Sequence, residues 1–409
     1  HLSIRRQRQM CIRDRYYSIV ITNYIQTGKP EIENNGNFDG SWTERAFIGL
    51  METSDPASNI WEDKGFVVCS ASDKGKTDYG RSSINDWEGY FKINAIDPTY
   101  IITENGEHWL IYGSWHSGIA ALQVNPEDGK PLNALGNPWD ITGEDNSGYG
   151  KIIATRGTSR WQASEGPEVI YRDGYYYLFL AYGSLSVEYN TRVCRSRNID
   201  GPYVDIHGNS AMGSAQLYPI LTAPYRFDNS YGWVGISHCG IFDDGAGNWF
   251  YTSQGRFPVN VGGNEYSNAI MMGHVRSIRW DANGWPLVMP ERYGAVPQAP
   301  ITENEIAGDW EHLALTNNTG TQRTSETMTY DLDTHKITSG SWKNATWTFD
   351  AATQTITTSA GVVLYLQREV DWEASPRTHT IVYAAQGNQK TYWGKKLQSW
   401  VQVINATVD

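Results

Sequence analysis

The sequence predicts an all-β protein, a β-propeller over residues 1–300 followed by a small β-barrel or sandwich over residues 301–409. Three observations lead there. Aromatic residues form 13% of the 409 and glycine supplies 40 positions, while only 19% are charged. That composition disfavours disorder and favours a turn-rich β globule. No helical period of apolar residues persists along the chain, which argues against an α/β barrel. The third observation is a recurring pattern: an aromatic strand ending in small or polar residues, an apolar strand, and a turn marked by Trp or Pro.

The first copy runs from Tyr16 to Thr22 and on to Ala46–Leu50, with a turn from Ser54 to Trp61. The second joins His108–Ser114 to Gly118–Val124. The third joins Asp173–Phe179 to Thr191–Ser196 and closes at Asp200-Gly201-Pro202-Tyr203. The fourth joins Gly247–Thr252 to Ala269–Val275 and closes at Asn283-Gly284-Trp285-Pro286. The anchors Tyr16, Trp109, Tyr176 and Trp249 stand 93, 67 and 73 residues apart, room for one four-stranded blade each plus loops. The long first interval leaves space for an extra blade or extended loops, and a β-sandwich with long loops is the alternative architecture. Near Pro290 the pattern stops, and Pro297-Gln298-Ala299-Pro300 reads as a linker. Beyond it, short alternating segments such as Thr327–Tyr330 and Thr346–Phe349 read as a second β domain without a cluster of catalytic side chains.

A formal net charge of −12, with no basic stripe among the aromatics after residue 16, disfavours nucleic acid as a partner. Many Trp and Tyr beside few charges suit a neutral, hydroxyl-rich ligand, since sugar rings stack on aromatic faces while carboxylates and amides take the hydroxyls. Most of those aromatics read equally well as β core. Cys11, Cys69, Cys194 and Cys239 are too widely spaced for a disulfide framework or a C-x-x-C metal pair. No apolar run reaches the length of a membrane span. No signal peptide precedes the fold, so the natural start is expected upstream of His1.

Three polar residues stand ahead of successive aromatic strands: Asp97 before Pro98, Glu165 before Gly166-Pro167, and His238 before Cys239-Gly240. In a propeller the innermost strand of each blade faces the channel, so equivalent positions converge. Proline lacks an N–H and restricts its predecessor to extended backbone, which places Asp97 and Gly166 at strand entrances. Either motif alone reads as an ordinary turn with a solvated acid; the shared register favours a cavity. Two carboxyl groups across a cleft are the equipment of glycoside hydrolysis. Glu165 is the better acid, with carbonyl and aromatic surroundings that would keep it protonated, while Asp97 stays ionised to orient it. Glu168 is the competing acid. His238 reads as a neutral hydrogen-bonding residue, a metal ligand or a core histidine, since one histidine cannot specify a metal. Trp115, His116 and Ser117 follow the strand read as the second blade's inner strand, with Trp115 and His116 where a sugar would stack, and a core role suits Trp115 as well.

At these residues the sequence resembles the arabinanases of glycoside hydrolase family 43. The matching segments are Ala95-Ile96-Asp97-Pro98, Tyr112 to Ile119, Glu165-Gly166-Pro167, and Arg192 to Tyr203. Residues 302–409, with Gly308-Asp309-Trp310-Glu311 and Tyr392-Trp393-Gly394-Lys395-Lys396, look like the accessory β-domain of larger extracellular members. The resemblance implies a five-bladed propeller, secreted or held at the cell surface or in the periplasm. It would be a monomer hydrolysing α-1,5-linked arabinan with inversion, endo-acting by preference. It implies Glu165 as general acid, Asp97 as the residue tuning its position, and His238 as a ligand, through waters, of a central ion, usually calcium.

One departure stands out. The family opens its first blade with a His-Asp-Pro-Ser-Ile type motif that carries the general base, whereas this chain reads His1-Leu2-Ser3-Ile4. Residues 5–15 form a basic tract that reads as foreign to the fold, and Asp14 within it has a flanking context unlike the motif. Without a base, weak or absent activity is expected. An exo-acting α-L-arabinofuranosidase or β-xylosidase, or an inactive carbohydrate-binding propeller, are the rival readings.

Overall fold

A computed structural model describes residues 14–21, 46–69, 94–115, 118–133, 147–156, 164–213, 216–227 and 230–397. Among these there are β-strands and short 3-10 turns but no α-helix, as the missing helical period implies. No helix among them is long and apolar enough to cross a membrane. Contacts divide the chain into two units. One comprises residues up to Leu180 with Cys194–Val204 and Asn209–Ala215; the other comprises Ala181–Val193, Asp205–Gly208 and Gln216 onward.

In the first unit, β1 (Asp14–Ile21), β2 (Ala46–Thr53) and β3 (Glu62–Cys69) form an antiparallel sheet in chain order. Asp14 and Arg15, at the end of the basic tract, are part of β1, opposite Thr53 and Glu52. Positions 1–13, including the place expected for the base motif, lie outside the described residues. The second sheet is β4 (Thr99–Ile102), β5 (His108–Tyr112), β6 (Ile119–Val124) and β7 (Lys151–Ala154), again in chain order. Residues of the two sheets share one core, in which Ile48, Leu50 and Val68 meet Leu110, Tyr112 and Leu122. Each such side chain contributes on the order of 1.5–3 kcal/mol through burial. The Tyr112 hydroxyl inside that core donates to the Tyr149 carbonyl at 2.8 Å, which avoids the cost of an unmatched buried polar group.

The third sheet, β8 (Ser164–Arg172), β9 (Tyr175–Tyr182), β10 (Asn190–Ser196) and β11 (Ile220–Thr222), is divided between the units. The second unit continues with the two-residue β12 (Tyr225–Arg226) and the fourth sheet, β13 (Gly240–Asp243), β14 (Trp249–Arg256), β15 (Met271–Trp280) and β16 (Pro286–Val288). In the last three of these sheets the aromatic anchor lies on the second strand: Trp109 on β5, Tyr176 on β9 and Trp249 on β14. The first strand is a separate element, and β4 and β13 have only four residues each. All four residues of β4 are half-buried, so no period-two alternation marks it in the sequence.

The remaining strands are β17 (Gly308–Leu315), β18 (Arg323–Thr324), β19 (Glu326–Asp331), β20 (Lys336–Ile337), β21 (Trp347–Asp350), β22 (Thr355–Thr358), β23 (Val363–Asp371), β24 (Thr378–Gly387) and β25 (Lys390–Lys396). Eight of them form one sheet in the order β20-β19-β17-β25-β24-β23-β22-β21. Its two edges approach each other, since Lys336 bridges Thr346, and Trp347 N–H donates to the His335 carbonyl at 2.9 Å. A near-closed barrel results, which decides between the barrel and the sandwich. It encloses Trp310, Tyr330, Trp347, Leu364 and Tyr383. The Pro297–Pro300 segment expected as a linker is held firmly: Gln298 accepts from Arg368 N–H at 3.1 Å and donates to the Arg368 carbonyl at 2.9 Å. The Trp393 indole donates to the Val288 carbonyl at 2.8 Å, joining the barrel to β16.

Lys395 lies at the centre of a buried charge cluster. Its Nζ is 2.8 Å from both Asp371 and Glu373, 3.1 Å from Glu291 and 3.8 Å from Glu311. Burial pulls an ammonium towards neutrality, but the surrounding carboxylates hold this one well above the usual lysine range. Glu291 goes the other way, pushed well up first by burial and then by the charge of Glu373, to which a hydrogen bond couples it. That hydrogen bond and the Lys395 charge outweigh burial at Glu373 and bring it down to about 2. Lys395→Met should cost about 3–5 kcal/mol in urea unfolding, because the carboxylates would remain buried without their cation.

His312 on β17 is 2% exposed and shares a 2.6 Å hydrogen bond with the Tyr383 hydroxyl. Burial lowers it to about 3. A depressed histidine means that the unfolded chain takes up the proton first, so its stabilisation is complete above about pH 6.5 and is lost as pH falls towards 3. Comparing unfolding of His312→Phe and the parent chain at pH 7 and pH 5, the difference should move about 2 kcal/mol in the variant's favour at the lower pH.

Candidate functional site

Asp97 immediately precedes Pro98 and β4, Glu165 is the second residue of β8, and Trp115 lies in the turn between β5 and β6. All three belong to the first unit, and hydrogen bonds join the loops that carry them. Gly113 N–H donates to the Ile96 carbonyl at 2.9 Å, and the Asn94 amide donates to the Ser114 carbonyl at 3.2 Å. Trp115 N–H then donates to the Ser164 carbonyl at 3.0 Å. Backbone thus fixes where the side chains meet.

They meet at two carboxylates. Oε2 of Glu165 accepts from the Trp115 indole at 2.8 Å and from the Ser114 hydroxyl at 3.1 Å. Oδ2 of Asp97 accepts the backbone N–H of Gly166 at 3.1 Å. Asp97 is therefore secured to the residue next to Glu165. Asp97, Trp115 and Glu165 are all half-buried, while Ser114 beneath them is 1% exposed. Glu168, the competing acid, accepts the Thr99 hydroxyl at 3.0 Å, which ties it to β4 and away from the Trp115 donor.

The local backbone is unusual in a way the sequence did not show. Asp97 takes φ 54, left-handed rather than the extended geometry expected of a residue before proline, and Trp115 (φ 57) and His238 (φ 57) do the same. Left-handed backbone costs a side-chain-bearing residue roughly 1–2 kcal/mol, and such strain gathers at sites where the surroundings fix a side chain's direction. The β5–β6 turn depends on two glycines. A Cβ on Gly113 would meet the Gly118 carbonyl oxygen at 2.4 Å, and one on Gly118 would meet that of Ala154 at 2.2 Å.

Of the other candidates, His238 lies in the second unit just ahead of β13 and is exposed, which removes the core-histidine reading. His116 and Ser117 lie outside the described residues. Trp115 contributes a hydrogen bond to the acid, a role not foreseen for it, and Ser114 and Asn94 were missed. Their signal was adjacency, Ser114 beside Trp115 and Asn94 three residues before Asp97. Among the described residues, one group of acids is close enough to hold a metal, Glu291, Asp371 and Glu373. Lys395 is within 2.8–3.1 Å of all three, so its ammonium is the cation there.

Residues 47–286 match the family described as glycosyl hydrolases family 43, and residues 290–394 match its C-terminal lipocalin-like domain. The chain belongs to glycosyl hydrolase family 43. Over 240 residues it is 30% identical to the extracellular endo-α-(1→5)-L-arabinanase 2 of Bacillus subtilis, covering 53% of this chain and 46% of that protein. The extracellular endo-α-(1→5)-L-arabinanase of Thermotoga petrophila is also 30% identical, over 54% of this chain and 46% of that one. The chain thus matches about half the length of these relatives. In structure it is similar to the endo-1,5-α-L-arabinanase of T. petrophila, with a TM-score of 0.71 over 95% of this chain and 82% of the other at 23% identity. It is also similar to the family 43 YxiA protein of Bacillus licheniformis, with a TM-score of 0.69 over 87% and 78% at 24% identity.

Gly118→Ala should destabilise the first unit by about 2–4 kcal/mol, combining a carbonyl clash with left-handed strain. Urea unfolding followed by tryptophan fluorescence measures it; a loss under 0.5 kcal/mol, on the scale of neutral surface changes, would mean the turn is not built as described.

Proposed function

We propose that the protein hydrolyses α-1,5-linked arabinan, endo-acting and with inversion, with Glu165 as general acid and Asp97 as the residue that positions it. The observation that carries this reading is the pair of linked anchors, Trp115 and Ser114 on Glu165 and Gly166 N–H on Asp97. A general acid must keep one oxygen aimed at the glycosidic oxygen while the bond breaks. Two donors on Oε2 stop the carboxyl group from rotating, so that a proton carried on the other oxygen would keep a fixed direction. The arabinanase names of the relatives supply the substrate class.

Inversion needs a second carboxylate to activate water on the opposite face, about 6.5–9.5 Å from the acid. The resemblance puts that group in the amino-terminal segment, outside the described residues, where this sequence has Leu2 in place of the motif's aspartate, so turnover is expected to be slow. We read the smaller sheets as blades of a five-bladed propeller and the protein as secreted, like the extracellular relatives. His238 is proposed as a ligand of a calcium ion held largely through waters. An exposed imidazole suits an ion that keeps most of its hydration.

Debranched arabinan distinguishes the readings. Mixed oligosaccharides whose first-formed anomer is inverted, seen by proton NMR, are the expected products. Arabinose alone would overturn endo action, and no cleavage would favour a binding protein. Trp115→Phe keeps the ring but removes the donor to Glu165. Since a charged hydrogen bond contributes about 1.5–3 kcal/mol, kcat/KM should fall at least tenfold, mostly in kcat. The alkaline limb of the pH profile should move upward, because the ionised acid loses stabilisation. An unchanged profile would show that Trp115 does not act through Glu165.

A further inference from the structure

The second unit contains a cavity of about 650 Å³ between the fourth sheet and the barrel, far in sequence from Asp97 and Glu165. Trp249 and Trp280 line it with Tyr293, and Ser277 and Gln367 add a hydroxyl and an amide. We propose that this cavity is a second carbohydrate subsite that binds a neutral segment of the polymer. The identity of the sugar rests on the arabinan reading above.

Its size falls within the range of small-ligand sites. Its chemistry selects against most other occupants. No carboxylate, lysine or histidine lines it, and the one charged lining residue, Arg279, is already engaged. The Arg279 guanidinium donates to the carbonyls of Thr353 at 3.0 Å, Gln354 at 3.3 Å and Leu366, and lies over the Tyr365 ring. A cationic ligand would find no counter-charge, and an anionic one would find the Arg279 donors already taken by carbonyls. A purely apolar one would leave the Ser277 and Gln367 groups unmatched. A sugar ring, with apolar C–H faces and hydroxyl edges, meets both requirements.

The platforms are also rigid. Trp249 and Trp280 form an edge-to-face pair with centroids 5.5 Å apart and planes at 83°. The ring presenting its edge keeps both faces uncovered by its partner. Tyr293 is 41% exposed and its ring is braced edge-on against Phe250 at 4.9 Å. Arg279, reaching from β15 to the β21–β22 turn and to β23, holds the two walls at a fixed separation. Little ordering cost is left for binding. A subsite built from residues other than those that carry the acid would retain the polymer between cleavage events, and it gives the barrel a part in substrate capture.

Native gels cast with debranched arabinan, linear xylan or a mixed-linkage glucan test this with Glu165→Gln as the background, so that the polymer is not consumed. That chain should be retarded by arabinan. Adding Trp249→Ala or Tyr293→Ala should weaken retention at least fivefold, while the same changes in the parent chain leave hydrolysis of arabinotriose within twofold. Thermal unfolding confirms that each variant is folded, and exposed Tyr293 serves if Trp249→Ala is not. Retardation by xylan or glucan instead, still lost on Trp249→Ala, would uphold the subsite and overturn the arabinan reading. Retention unaffected by either substitution in folded protein, or no retention by any of the three polymers, would overturn the subsite.

Discussion

The anchoring of Glu165 by Trp115 and Ser114 is the constraint on which the site depends. A carboxyl group at the entrance of a strand would ordinarily sample several rotamers. Here two donors converge on one oxygen, and the strand that carries the acid is held by backbone bonds to the same turn. The Asp97 bond to Gly166 N–H then joins the second and third sheets beside the acid. Chemistry and architecture use the same few contacts, so the site cannot loosen without the sheets separating.

The price of that geometry is strained backbone. Three side-chain-bearing residues in the site segments have left-handed φ, and the turn that presents Trp115 tolerates no side chain at Gly113 or Gly118. The second unit supplies rigidity by other means. A buried ammonium among four carboxylates and a chain of contacts from Trp393, Gln298 and Arg279 tie the barrel to the sheet before it. A buried ion cluster of this sort adds little net stability while intact, since desolvation offsets much of the attraction.

Much of this was legible in the sequence, and the limits have physical causes. That Asp97 and the Glu165 segment lie together was legible because Asp-Pro and Glu-Gly-Pro are short, distinctive strings at matching places in a repeat. The aromatic strands were legible because Trp109, Tyr176 and Trp249 contrast with their surroundings. The strands before them were not, because β4 is short and uniformly half-buried. The left-handed turn at Asp97 ran against the local preference imposed by Pro98, a case where tertiary hydrogen bonding overrides a dipeptide rule. The Lys395 cluster joins residues 291, 311, 371, 373 and 395, and the cavity joins residues 249, 280, 293 and 367; neither has a local signature. The barrel's closure was equally hidden, since it rests on a few backbone contacts between residues 335–337 and 344–347 rather than on a long strand pair.

The central claim is that Glu165 donates the proton to the departing sugar. Measuring Glu165→Gln against two leaving groups tests it directly. Arabinan needs protonation of a poor leaving group, whereas a dinitrophenyl arabinobioside departs without it. The variant should lose about 10²–10⁴-fold in kcat on arabinan and stay within tenfold of the parent on the activated substrate. Equal losses on both would contradict the assignment of Glu165 as the acid.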